Sequence, residues 1–170
     1  VGHFQKKNLD LARLNVLDKN NRWDQTVVYF ESAATEGFDA SYDGYKLISM
    51  NADVPSLYAV NQDGIFSISA LDADDYQHTV PLGFRSTTKG EMTFELDLDE
   101  LDQKWYVYLE DKELGIFYDI KENPYTFNHS HNSDSRFVLH FQTFALSTDM
   151  VVKDVQKMKV GGDGEAVYVF

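Results

Sequence analysis

The 170-residue chain carries 15 Lys and Arg against 28 Asp and Glu, a formal charge of −13, with 43% hydrophobic and 14% aromatic residues and no cysteine. That charge excludes nucleic acid and anionic lipid as natural partners, because both are held by cationic side chains. The apolar content is too high for a disordered chain, no apolar run reaches the roughly 18 residues of a membrane-spanning helix, and thiol nucleophiles, thiolate metal sites and disulfide staples are excluded outright.

At about 150 residues per domain, residues 1–150 read as one domain, with its N-terminal boundary left open within 1–22. Residues 151–170 read as terminal strands that belong either to this domain or to the start of a following module. The sequence opens on Val1, as a processed form or a fragment would, with no basic segment and apolar core of a signal peptide.

Period-two alternation dominates. Leu9–Leu17 and Thr26–Phe30 are strand-like, followed by Tyr45–Met50 and Leu57–Val60. Asn61-Gln62-Asp63-Gly64 then predicts a hairpin into Ile65–Leu71. Thr79–Phe84 contains Pro81, which predicts an edge strand or a bulge because proline has no N–H for a ladder. Thr88-Lys89-Gly90 predicts a second hairpin, leading into the cleanest alternation, Glu91–Asp99, where Met92, Phe94, Leu96 and Leu98 share one face. Asp97–Gln103 reads as a strand end and a turn. Trp105–Leu109, a hairpin at Glu113-Leu114-Gly115, Ile116–Ile120, Tyr125–Phe127, a loop over Asn128–Asp134 and a strand over Phe137–Phe141 follow. Val155–Phe170, with a hairpin at Gly161–Gly164, completes the series. About ten to thirteen short strands without helical periodicity predict an all-β fold, an antiparallel β-sandwich of jelly-roll type.

Three residue groups are candidates for chemistry. Asp72, Asp74 and Asp75 crowd one loop, and Asp97, Asp99, Glu100 and Asp102 another. Calcium takes six to eight oxygen ligands, so Asp72, Asp74, Asp75, Asp97, Asp99 and Asp102 are its candidate ligands; the spacing is not that of an EF-hand. The competing reading is a solvated acidic face. Tyr106, Tyr108 and Tyr118 are expected on an outer sheet face, where aromatic rings can stack on sugars; the competing reading is cross-strand pairing. His129 and His131, two apart, share a face of a strand, with Asp134 as the nearest third ligand. Lacking a closed ligand set they read as exposed loop histidines, and His140 as a surface or interface residue. No Gly-x-Ser-x-Gly, His-Glu-x-x-His or phosphate-loop motif is present, so no catalytic residue is assigned.

A longer pattern carries a resemblance. Gly37-Phe38-Asp39, Tyr42-Asp43-Gly44-Tyr45-Lys46-Leu47, Pro55-Ser56-Leu57-Tyr58, Ile65-Phe66-Ser67-Ile68 and Val80-Pro81-Leu82-Gly83-Phe84 follow in order. Gly90, Thr93, Tyr108-Leu109-Glu110-Asp111-Lys112, Gly115, Asp119, Tyr125-Thr126-Phe127 and Ser135-Arg136-Phe137-Val138-Leu139-His140-Phe141 continue it. This series, spanning residues 25–141, resembles a β-sandwich module of large secreted and cell-surface proteins of Bacteroidota, typically placed just before a type IX secretion C-terminal sorting domain. The resemblance implies export and a place at the cell surface, outside the outer membrane, and implies no catalytic residues. Gly37, Gly83, Gly90 and Gly115 suit tight turns or close backbone approach, and Arg136 suits an ion pair with Asp43 or Glu110.

The expected function is therefore a non-catalytic structural or interaction module, acting as spacer, adhesive unit or filament subunit. Its partners would be other protein modules or copies of itself, joined by strand addition through Leu9–Leu17 or Val155–Phe170. The alternatives are a calcium-assisted carbohydrate-binding module and, last, a hydrolase. No cofactor is required in the first reading.

Overall fold

The computed structural model describes residues 9–143, and among them it contains strands and no helix. In chain order the strands are β1 (Asp10–Asp18), β2 (Trp23–Phe30), β3 (Gly44–Tyr45), β4 (Ser56–Asn61), β5 (Gly64–Leu71), β6 (Gln77–Arg85), β7 (Gly90–Asp97), β8 (Tyr106–Asp111), β9 (Ile116–Asp119), β10 (Tyr125–His129) and β11 (Ser133–Gln142). All belong to one 11-stranded sheet in the order β10-β7-β1-β2-β5-β4-β6-β11-β8-β9, with β3 beside β5. Every pairing is antiparallel except β2 with β5.

The two ends of this path, β10 and β9, are consecutive in the chain. The Tyr118 and Tyr125 rings lie 5.1 Å apart across them, so the sheet curls almost into a barrel. Alternation drives this closure. Val107, Leu109 and Asp111 of β8, Tyr125, Phe127 and His129 of β10, and Met92 and Phe94 of β7 all point inward. The apolar ones meet Leu14, Val16, Phe30, Leu57, Phe84, Trp105 and Phe141 in one buried cluster. β5 is shared between neighbours: Gly64–Phe66 pairs with β4, and Ile68–Leu71 with β2.

Several expectations meet corrections. Only Tyr45 of the segment Tyr45–Met50 lies in a strand. β3 runs antiparallel to β5 from Ile68 toward its start, and after Lys46 N–H bonds Ile65 C=O only Gly64 of β5 remains, too little to template more strand. Thr88-Lys89-Gly90 closes no hairpin, because β6 pairs with β4 and β11 while β7 pairs with β1 and β10; the segment is a crossover. Of the loop expected over Asn128–Asp134, residues 130–132 remain, since β10 ends at His129 and β11 begins at Ser133. Pro81, opposite Val138, does lie at an edge: β11 flanks it on one side and, among the described residues, no strand flanks it on the other, although β6 becomes an inner strand over Leu82–Arg85, where β4 pairs with it. Within the chain β1 is an inner strand, with β2 along one edge and β7 along the other over Arg13–Asp18. Residues 1–8 and 144–170, with Val155–Phe170 and the Gly161–Gly164 hairpin, lie outside the described residues.

The hairpins at Asn61–Gly64 and Glu113–Gly115 do join paired strands, and Gly115 takes φ 67°, a conformation side-chain-bearing residues resist. Gly83 is required for another reason. It pairs with Tyr58, and a Cβ there would lie 1.9 Å from the Tyr58 ring.

Candidate functional site

Two clusters of Tyr, Asp and Arg stand out, one buried and one at the surface. In the first, Asp111 ends the inward alternation of β8 and is fully buried. Arg136, beside the register shift in β11, donates Nη2 to Asp111 Oδ2 at 2.7 Å and Nε to Oδ1 at 3.0 Å. The Tyr125 hydroxyl donates to Oδ2 at 2.9 Å, and Glu113 accepts from Arg136 Nη1 at 2.9 Å. The guanidinium lies 4.7 Å from the Phe137 ring and 5.2 Å from that of Phe127. Burial raises the Asp111 carboxyl, but the Arg136 and Tyr125 hydrogen bonds and the Arg136 charge outweigh it and hold the group below the usual carboxylate range. Burial, then the bond to Asp111, pushes the Tyr125 hydroxyl up.

Arg136 thus forms an ion pair, but with neither expected acid. Glu110 is one residue away and so on the opposite face, where it meets His140 Nε2 at 2.8 Å. Asp43 accepts the backbone N–H groups of Ala70 at 2.6 Å and Asp39 at 2.7 Å, capping the edge of β5. The signal in the sequence was the pleat itself: Asp111 continues the face of Val107 and Leu109.

In the second cluster, Tyr58 lies buried over Gly83 and donates to Asp134 Oδ1 at 2.5 Å. Arg85 meets Asp134 Oδ2 at 3.0 Å and stands 5.4 Å from the Tyr58 ring centre. Burial, then Asp134, pushes the Tyr58 hydroxyl up.

The candidate calcium ligands occupy two separate turns. Asp72 Oδ1 accepts Asp74 N–H, Asp97 Oδ1 accepts Asp99 N–H, and Asp102 Oδ1 accepts Lys104 N–H, each at 2.9 Å. These are Asx turns, in which the carboxylate satisfies local backbone. Asp75 lines a cleft beside β6. Among the described residues no three His, Asp or Glu side chains gather as a metal would require.

Tyr106 and Tyr108 share the outer face of β8, opposite Gln142 and His140 of β11. Tyr118 does not join them. It pairs with Leu109 and packs against the core, and its hydroxyl donates to Pro124 C=O at 3.2 Å. The two loop histidines also part. His131 is exposed, whereas His129 is buried, its Nε2–H donating to Ser86 C=O at 3.1 Å and its ring 4.8 Å from that of Phe84. His129 continues the inward face of Tyr125 and Phe127, which the expected loop concealed. Burial holds its imidazole below the usual range, against the opposing Ser86 bond.

The feature sequence reasoning missed is apolar and exposed. Phe38, Tyr45, Leu47, Ile48 and Met50 are all exposed, Leu47 at 88%, on the segment around β3, with Trp23 and Ile68 exposed on the flanking strands. The segment is well tied. Phe38 stacks on Tyr45 at 4.6 Å and Tyr45 on buried Phe66 at 5.0 Å. Asp63 accepts Phe38 N–H at 2.9 Å, and the Lys46 ammonium, nearly buried, pairs with Asp24. Its sequence, read as a strand, disguised a surface.

A family model described as a domain of unknown function, DUF8693, matches residues 5–141. No curated protein and no solved structure matches the chain. The matched span takes in β1 to β10 and β11 through Phe141, and the chain belongs to the DUF8693 family.

Proposed function

We propose that this chain is a non-catalytic structural or interaction module of a secreted or cell-surface protein, binding other protein modules or copies of itself. The observation that carries the reading is the tied segment presenting Tyr45, Leu47, Ile48 and Met50 to solvent. Large exposed apolar side chains on a well-anchored frame suit a protein–protein contact, and a flexible loop would lose more entropy on binding. Among the described residues the buried polar side chains all have partners, which fits a load-carrying module better than a reactive centre. The resemblance to modules of Bacteroidota surface proteins supports export.

The same reading includes a jelly-roll-like sandwich. The divided pairing of β5 supports it, because strands that change neighbours form the corners between packed sheets. In that arrangement the β9 and β10 edges stay unbonded, and their outward amides exchange rapidly; a closed barrel would protect them.

The test is the mean mass in solution by light scattering across a concentration series. Association above 19.5 kDa that falls back for Leu47→Asp with Met50→Asp supports the module reading. A concentration-independent monomer with no response to either substitution removes self-association. Carbohydrate binding is the second reading, favoured by Tyr106 and Tyr108 sharing an outer face. A glycan array run in calcium and in chelator, with Tyr106→Ala as control, tests it.

A further inference from the structure

β6 is bonded by β11 over Gln77–Leu82, but β4 covers its other side only over Leu82–Arg85. Gln77 to Pro81 therefore present an open strand edge, with no strand partner on that side among the described residues. The direction of its backbone groups follows from two facts. Pro81, opposite Val138, has no N–H to give β11, and Tyr76 C=O points toward β11, where it accepts Thr143 N–H at 2.8 Å. Backbone groups alternate sides along a strand. Tyr76, His78, Val80 and Leu82 therefore face β11, and Gln77, Thr79 and Pro81 face away from it.

The edge borders a cleft of about 410 Å³. Ser69, Ala70 and Leu71 of β5 form its far wall, with Val60 and Asn61 at the end of β4. Glu36 and Asp75 also line it, and among the described residues no Lys or Arg does. A second opening of about 340 Å³ continues along Asp75–Thr79.

We infer that this edge is an acceptor site for an extended, cationic peptide segment of a second protein, which adds as a strand beside Gln77–Pro81. The inference rests on the interaction-module reading above and gives it a second, separate surface. Main-chain bonds from Gln77 N–H and C=O, Thr79 N–H and C=O, and Pro81 C=O would supply the binding, with Lys or Arg side chains of the incoming strand meeting Glu36 and Asp75. Proline at 81 is compatible with this role, because an incoming strand needs only its carbonyl.

The experiment is an amide NMR titration of the full chain with the synthetic heptapeptide Lys-Val-Thr-Val-Lys-Val-Thr and its counterpart with Glu in place of Lys. The expected result is saturable shifts centred on Gln77, Thr79 and Ser69–Leu71, with the Glu peptide and the Thr79→Pro variant each weaker by about tenfold. Thr79→Pro removes an outward donor and no bond to β11, so it keeps the fold; Asp75→Lys tests the charge without touching the backbone. Shifts centred on β9 or β10, equal binding of both peptides, or no saturable binding would overturn the inference. So would slow exchange of the Gln77 and Thr79 amides in the chain alone, since the edge would then already be filled by this chain or a second copy. Leu47→Asp separates the two readings: it abolishes association through the β3 segment and leaves the peptide shifts intact.

Discussion

The two Tyr–Asp–Arg clusters use the same three kinds of side chain, Arg136 gripping both oxygens of Asp111 and Arg85 only one of Asp134, and they stand in different solvents. In each, a tyrosine hydroxyl and a guanidinium converge on one carboxylate, and the guanidinium lies over an aromatic ring. Around Asp111 and Arg136 the side chains are 1% and 9% exposed; around Asp134 and Arg85 they are 47% and 45% exposed. The difference shows that chemistry alone does not set the worth of an ion pair. Water competes for Asp134 and Arg85 and screens their attraction, whereas nothing but the protein satisfies Asp111. The first cluster therefore holds β8, β10 and β11 together, and the second trims the outer face of β4 and β6.

The largest expected effect comes from halving the buried cluster. Arg136→Ala leaves the Asp111 carboxylate in an apolar site with Tyr125 as its one remaining side-chain donor among the described residues, at a cost of about 3–5 kcal/mol, read by urea denaturation. Asp111→Leu combined with Arg136→Met should recover much of that loss, since a packed apolar pair often matches a buried ionic one. A single Arg136→Ala variant as stable as the parent would refute the assignment. The acid limb sharpens the contrast. The folded Asp111 carboxyl lies below its unfolded value of about 3.9, so its contribution is complete above that pH and is lost as pH falls through the folded value. Arg136→Ala should flatten that limb, and Arg85→Ala should not.

Next comes Gly83, which belongs to the exposed cluster but carries its buried half. Any side chain at 83 collides with the Tyr58 ring, and Tyr58 is held by Asp134 and by its own strand. Gly83→Ala should cost about 1–3 kcal/mol, the usual range for overpacking, and Tyr58→Ala in the same chain should relieve part of it. Strict additivity of the two substitutions would show that the ring and the glycine do not meet.

How much of this was legible in the sequence divides along the same line. Alternation exposed the strands, and Gly64 and Gly115 marked the hairpins, because both signals are local. Which strands neighbour one another is not local: β6 and β7 follow each other closely and still part, β6 pairing with β11 and β7 with β1. Asp111 was readable as an inward acid from Val107 and Leu109, but its partner Arg136 turns inward beside a register shift that no period announces. The exposed apolar segment was hidden for a related reason. Lys46 to Met50 has strand composition, and only the short reach of β5 leaves it without a ladder.

His129 offers a pH test of the interior on the Ser86 side. Its folded pKa lies below the unfolded value of about 6.5, so the stability it contributes is complete above that pH and falls as pH drops toward the folded value. Melting temperature should decline from pH 7 to pH 5, and His129→Gln should lose that slope while His131→Gln keeps it. An unchanged slope in His129→Gln would place the titrating group elsewhere.

The smallest effect is the one that completes the comparison. Arg85→Ala and Asp134→Asn should each cost at most about 1 kcal/mol, because both groups regain water when the pair is broken. Part of the Arg85 loss is packing, since its guanidinium covers the Tyr58 ring; Arg85→Met, which keeps a long side chain over the ring, isolates the charge. A double-mutant cycle of Arg85→Met with Asp134→Asn should give a coupling that shrinks toward zero in molar salt. The equivalent cycle on Arg136 and Asp111 should keep its coupling under the same conditions, because salt ions cannot reach a pair that solvent does not touch. If both cycles respond alike, exposure is not what separates the clusters, and the Phe127 and Phe137 rings around Arg136 would have to carry the difference.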